Sequence, residues 1–185
     1  IQSNGVGATL KHFAFNNQET NRGNNDARMS DRTAREIYLK GFEIAVKESD
    51  PWAIMTSYNR INGPHTAESY ELLEGILRGE WNYQGAVMTD WGGGKDAVAM
   101  VKAGNDLLMP GNAKQRQAII DAVNNGTLDM ADVDRNVKRI LQMVEKSPKF
   151  HGYQPTNNPD MKAHAEVARK SAAEGMVLLK NDGNV

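Results

Sequence analysis

Gly85-Ala86-Val87-Met88-Thr89-Asp90-Trp91-Gly92-Gly93 is the stretch on which the reading of the fold turns. A short apolar run stops on a carboxylate, followed at once by an indole and then by Gly92, Gly93 and Gly94. An apolar run of this length closed by glycine reads as a strand buried on both faces. Asp90 then stands where that strand emerges, at the carboxyl-end rim where parallel α/β folds keep their chemistry. A carboxylate beside an indole face and a tight glycine turn suits attack on a sugar ring. The indole packs on C–H surface, and the glycines let a substrate approach the backbone.

Outward from this stretch, short apolar runs alternate with amphipathic ones. Residues 7–14 (GATLKHFA), 52–58 (WAIMTSY), 86–90 and 105–109 (NDLLM) are expected strands. Residues 31–48, 66–78, 95–102, 113–124 and 130–146 are expected helices, with Ser30 and Asp129 as N-cap candidates. In the second of these helices, Tyr70, Leu73, Ile76 and Leu77 are expected on one face. Strands alternating with helices predict βαβ units and a parallel sheet. Four strands are too few to close a barrel, which takes about eight. The expected fold is therefore α/β, the second half of a (β/α)8 TIM-like barrel, because chemistry-bearing residues recur at three successive strand ends. A small open sheet is the alternative.

After Lys146 the texture changes. Residues 147–159 carry Pro148, Pro155 and Pro159 with Gly152 and paired asparagines, which reads as a linker. Residues 160–174 are an expected helix and 176–180 (MVLLK) an expected strand, together opening a second α/β domain. The expected organisation is residues 1–146 as the barrel half, 147–159 as linker and 160–185 as the start of the next domain. The chain opens at Ile1 without an initiator Met and closes at Val185 just after an apparent strand, so a piece of a longer protein is expected.

The 185 residues carry a net charge of −1 and no cysteine. Near-neutral, interspersed charge leaves no footprint for nucleic acid or an anionic membrane. No apolar run approaches the roughly 20 residues that span a bilayer. Disulfides and thiolate metal sites are excluded, and the compartment stays open.

Lys11 and His12 lie on the first strand, with Asn16, Asn17, Glu19 and Arg22 behind them. Adjacent strand residues face opposite ways, so only one of the pair points inward unless the strand end is irregular. The group reads either as a hydrogen-bonding rim for hydroxyls or as a surface lysine with a half-buried structural histidine. Met55 and Tyr58 end the second strand. A phenol near a carboxylate holds it ionised and oriented, while a methionine is ordinarily core filler. Arg60 and Asn62 shape the turn before Gly63-Pro64. His65 and Glu68 lack a third ligand at metal spacing and read as part of a helix start; no metal and no cofactor is called for. Asp106 either faces the interior or bonds backbone. Glycines 92–94 would suit a phosphate, but Asp90 would repel it.

KHFAFNNQETNR, MTSYNRING, VMTDWGG and AGNDLLMPG, in this order and spacing, together resemble glycoside hydrolase family 3, in its β-glucosidase-like, two-domain branch. The terminal ARKSAAEGMVLLKNDGNV resembles the start of that family's α/β sandwich domain, so the resemblance spans nearly the whole chain. It implies a retaining exo-acting β-glycosidase, a β-glucosidase or a related β-xylosidase, acting on a β-linked oligosaccharide or glycoside. Asp90 would be the nucleophile. Lys11 and His12 would bind sugar hydroxyls, Tyr58 would sit against the nucleophile, Met55 would line the site and Trp91 would be a platform at its boundary. The acid/base would be a glutamate of the second domain, beyond Val185. Single-domain members instead carry a histidine loop, KHFPGHG, where this chain reads KHFAFNNQE. The missing N-terminal half barrel and the second domain would be the chain's structural partners. A non-catalytic sugar-binding module is the alternative of another class.

Overall fold

A computed structural model describes residues 1–183. The chain divides into two units, residues 1–152 and the remainder. The first is a mixed fold of helices and parallel sheet. Strands β1 (Thr9–Phe13), β3 (Ala53–Thr56) and β5 (Ala86–Met88) form a three-stranded parallel sheet in the order β1-β3-β5. Residues 105–109, an expected strand, contribute one parallel bridge, Leu107 to Met88. A two-residue pair the sequence did not suggest, β2 (Asp26–Ala27) with β4 (Arg60–Ile61), also runs parallel.

Several helices start where a side-chain oxygen caps them. Ser30 Oγ accepts the Thr33 N–H at 3.2 Å and opens α1 (Asp31–Thr33). The helix passes through a π-helical turn, Ala34–Tyr38, into α2 (Lys40–Ser49), which ends on a left-handed Asp50. The helix after β4 is π-wound over Glu71–Glu80 and follows a short 3-10 turn, Thr66–Glu68. Its wider winding puts Leu72 with Leu73, Ile76 and Leu77 in the core, whereas Tyr70 sits at the helix start and is exposed. The later helices are α3 (Ala97–Lys102), α4 (Ala113–Asn124) and α5 (Met130–Glu145), the last capped by Asp129 accepting from Ala131 N–H. Among the described residues no helix is long and apolar enough to cross a membrane.

The main core joins Phe13, Ile54 and Val87 of the sheet to Leu39, Val46, Leu72, Leu73, Leu77 and Trp81 of the helices. Each such side chain contributes about 1.5–3 kcal/mol on burial. Leu10, Ile54 and Val87 share one register level, so the sheet face they form is the one the helices cover. On the opposite face Ala53 and Ala86 are buried, whereas Met55 beside Met88 is only partly so.

In the second unit α6 (Met161–Gly175) forms, with Asp160 accepting from Ala163 N–H. The strand expected at residues 176–180 does not: the segment has no regular structure and its side chains are exposed. A strand is stabilised by its neighbours' hydrogen bonds, and no described segment pairs with this one.

Candidate active site

Strand β5 ends at Met88, so Asp90 lies two residues beyond it, in the loop rather than on the last strand residue. Its Oδ1 accepts the Trp91 N–H at 2.7 Å and the Tyr58 hydroxyl at 3.1 Å. Its Oδ2 lies 3.2 Å from His12 Nε2, a contact that becomes an ion pair when the imidazole is protonated. Residues from the ends of β1, β3 and β5 thus meet on one carboxylate. Burial and the bond to Asp90 both raise the Tyr58 pKa above its ordinary value, so the phenol stays a donor.

His12 reaches Asp90 because β1 is irregular. Leu10 pairs with Ile54 and Phe13 with Thr56, so Lys11 and His12 together stand opposite the single residue Met55. One extra residue in a strand re-aims side chains and is frequent beside functional sites. Phe13 then turns inward and packs edge-on against Phe42 and Trp81. The bulged segment is pinned from β3's end: Ala14 O accepts both Ser57 Oγ at 2.7 Å and Asn59 Nδ2 at 3.1 Å, all three residues being fully buried.

The other expected site residues differ in their settings. Lys11 is exposed and makes no ion pair among the described residues. Met55 is partly buried on the open sheet face beside Met88. Trp91 projects outward, 68 % exposed, while its carbonyl accepts the Tyr58 hydroxyl at 2.9 Å. Glu19 is 73 % exposed at its side chain and paired with Arg22 at 2.6 Å. Arg22 in turn lies over the Tyr58 ring, 4.5 Å from its centroid. That stacking was not legible in the sequence, where Arg22 was one of several polar residues behind Lys11.

His65 and Glu68 act locally. His65 Nδ1 meets the Tyr58 carbonyl at 3.2 Å, steadying the residue that bonds Asp90. Glu68 Oε1 accepts the Asp96 N–H at 2.9 Å as well as that of Lys95. Gly92 N–H goes to Met109 O and Gly93 N–H to Asp90 O, so this loop spends its donors internally instead of cradling a phosphate. Gly94 has φ +76°, and a Cβ there would lie 2.6 Å from Met100 Sδ, so only glycine fits. Asp106 takes the backbone-bonding alternative: Oδ2 accepts the Val87 N–H and Arg78 Nη2, each at 2.7 Å, with its side chain fully buried.

The model of the glycosyl hydrolase family 3 N terminal domain matches residues 1–143. The chain belongs to glycosyl hydrolase family 3. It is 46 % identical over 182 residues to an exo-alpha-(1->6)-L-arabinopyranosidase of Bifidobacterium longum, covering 98 % of this chain and 24 % of that protein. It is 42 % identical over 186 residues to thermostable beta-glucosidase B of Acetivibrio thermocellus, covering 100 % of this chain and 24 % of that one. The structure of beta-glucosidase 3B from Thermotoga neapolitana in complex with alpha-D-glucose superposes with a TM-score of 0.90 at 46 % identity, covering 98 % of this chain and 27 % of that chain. This family 3 chain therefore spans about a quarter of the length of the relatives it matches. Within that quarter, the carboxylate with two hydrogen-bond donors and the imidazole of His12 beside it is the arrangement most suited to chemistry.

Proposed function

We propose that this chain carries the nucleophile of a retaining, exo-acting β-glycosidase, most simply a β-glucosidase, with Asp90 attacking the anomeric carbon. The observation that carries this reading is the carboxylate held by Tyr58, Trp91 N–H and His12 at the ends of three parallel strands. Oδ1 is anchored by two donors, which leaves Oδ2 as the attacking oxygen once His12 turns to a sugar hydroxyl. In the first step Oδ2 bonds to C1 while the C1–O bond breaks and an acid protonates the departing oxygen. Water then releases the sugar from the glycosyl-aspartate, giving up its proton to the same group.

That second carboxyl must stand about 5–5.5 Å from the nucleophile and hold its proton in a drier setting. Glu19 is exposed and tied to Arg22, so it does not suit the role. The acid/base comes from another part of the protein, with the second domain begun at residue 160 as its source. Lys11 and His12 bind sugar hydroxyls, Met55 lines the site and the exposed Trp91 is the platform for the leaving side. The three-stranded sheet, extended at Leu107, is one half of a (β/α)8 barrel. Its partly open Met55–Met88 face is the barrel interior, and the N-terminal half barrel closes it.

β-Glucoside hydrolysis is supported by the β-glucosidases among the similar proteins. The arabinopyranosidase relative points to a second sugar. An α-L-arabinopyranoside and a β-D-glucoside both carry an equatorial anomeric bond, so one nucleophile serves either, and the sugar's other hydroxyls decide. Incubating the full-length protein with 2-deoxy-2-fluoro glycosides of glucose, xylose and arabinopyranose, followed by peptide mass spectrometry, tests the reading. An adduct on Asp90 supports it, and the fastest-labelling sugar names the substrate. Reversible binding without an adduct would establish a sugar-binding module in its place.

A further inference from the structure

The hydrogen-bond ladder leading to Asp90 departs from regularity at Thr89. Leu107 N–H donates to Val87 O at 3.1 Å, and Thr89 N–H donates to Leu107 O at 3.0 Å. A regular parallel ladder would continue with Met109 N–H donating to the Thr89 carbonyl. Met109 N–H donates instead to Thr89 Oγ1, at 2.8 Å. The same hydroxyl donates back to Met109 O at 3.4 Å, and that carbonyl also accepts Gly92 N–H at 2.8 Å. The residue before Asp90 and the second residue after it therefore both grip Met109. Thr89 is 1 % exposed, so water does not stand in for its hydroxyl.

We propose that Thr89 is a positioning residue for Asp90, its side chain completing the rung that the backbone gives up. With the rung moved onto the hydroxyl, the chain leaves the sheet at Thr89 without stranding the part-buried Met109 N–H. That departure aims the Asp90 carboxylate at His12 and Tyr58. The inference rests on the reading of Asp90 as nucleophile. It assigns the hydroxyl of Thr89, rather than its bulk, to the task. Valine keeps the bulk and loses the rung, whereas serine keeps the rung.

The test uses the full-length enzyme and compares the parent with Thr89→Val and Thr89→Ser. Thr89→Val should lower kcat and the rate of Asp90 labelling by a 2-deoxy-2-fluoro β-glucoside by about 10- to 100-fold, the scale set by misaiming a reacting group. KM should stay within about twofold, since the loss falls on the transition state. Thr89→Ser should recover most of the rate, and hydrogen exchange at the Met109 amide should quicken in the valine variant only. Labelling of Thr89→Val at the parent rate overturns the proposal while leaving Asp90 as nucleophile. Equal losses in the valine and serine variants overturn it too, because bulk would then be what matters. Should the valine variant not fold, Thr89→Ala against Thr89→Ser gives the same contrast, and equal rates refute it. A parent enzyme with no adduct on Asp90 refutes the nucleophile reading itself, an outcome recognisable before any variant is made.

Discussion

The Tyr58 hydroxyl stands 3.1 Å from Asp90 Oδ1 and 2.9 Å from the Trp91 carbonyl, so one phenol braces the carboxylate and the backbone that carries it. A hydrogen bond to a charged group contributes about 1.5–3 kcal/mol. Tyr58→Phe in the full-length enzyme should therefore lower kcat by roughly 10- to 100-fold. Steady-state kinetics on an aryl β-glucoside check this, with an unchanged thermal midpoint showing that the fold is intact.

Removing the proposed nucleophile is a harsher change. Asp90→Ala should cut turnover by roughly 10⁴- to 10⁶-fold, the range in which loss of a covalent nucleophile acts. Added azide should restore part of the rate by attacking C1 in its place, yielding a glycosyl azide of inverted configuration. Full activity in the variant would end the assignment of Asp90.

Asp106 serves stability. Its buried carboxylate bonds Val87 N–H and Arg78, with Arg139 at 3.4 Å, and so ties β5 to the Glu71–Glu80 helix and to α5. Asp106→Asn leaves Arg78 buried without a full counter-charge. Breaking such a pair costs about 3–5 kcal/mol, to be read from the midpoint of urea unfolding. Catalytic constants measured on the surviving folded fraction should change far less.

Tyr83 sets an alkaline limit. Burial is the main cause that raises its pKa above the ordinary tyrosine value, and its hydroxyl donates to Ala86 O at 3.2 Å. The folded state therefore holds this proton where the unfolded state releases it. The resulting stability is fully present below about pH 10 and is lost progressively as the pH rises beyond it towards the folded value. Tyr58, raised in the same direction, adds to the trend. Thermal midpoints between pH 7 and 12 should fall less steeply above pH 10 in Tyr83→Phe than in the parent, from a start lowered by about 1 kcal/mol for the lost hydrogen bond.

Much of this architecture was legible in one dimension because it follows from local rules. The apolar runs around Ala53–Thr56 and Ala86–Met88 are β-forming and bounded by turn residues, and Ser30 and Asp129 cap helices through their own side-chain oxygens. Where winding or pairing intervened, the sequence misled. Tyr70 stands just before its π-wound helix and is exposed instead of lying on the expected core face, and residues 176–180, apolar enough for a strand, pair with no other described segment.

The candidate site divides along the same line. Asp90, Tyr58 and His12 each stood out by residue type and by position at a strand end. The motif resemblance led to the expectation of Tyr58 against Asp90, but nothing in the order of residues said that His12 would also lie 3.2 Å from that carboxylate, or that Lys11 would remain exposed. That meeting depends on a bulge in one strand measured against its neighbour, a relationship that exists only once the strands lie side by side. What the sequence determined alone is the chemistry available at each strand end, because side-chain identity and hydrophobic period are local. What the tertiary structure decided is which of those groups converge: register, the Thr89 rung and the stacking of Arg22 on Tyr58 are contacts between residues far apart along the chain.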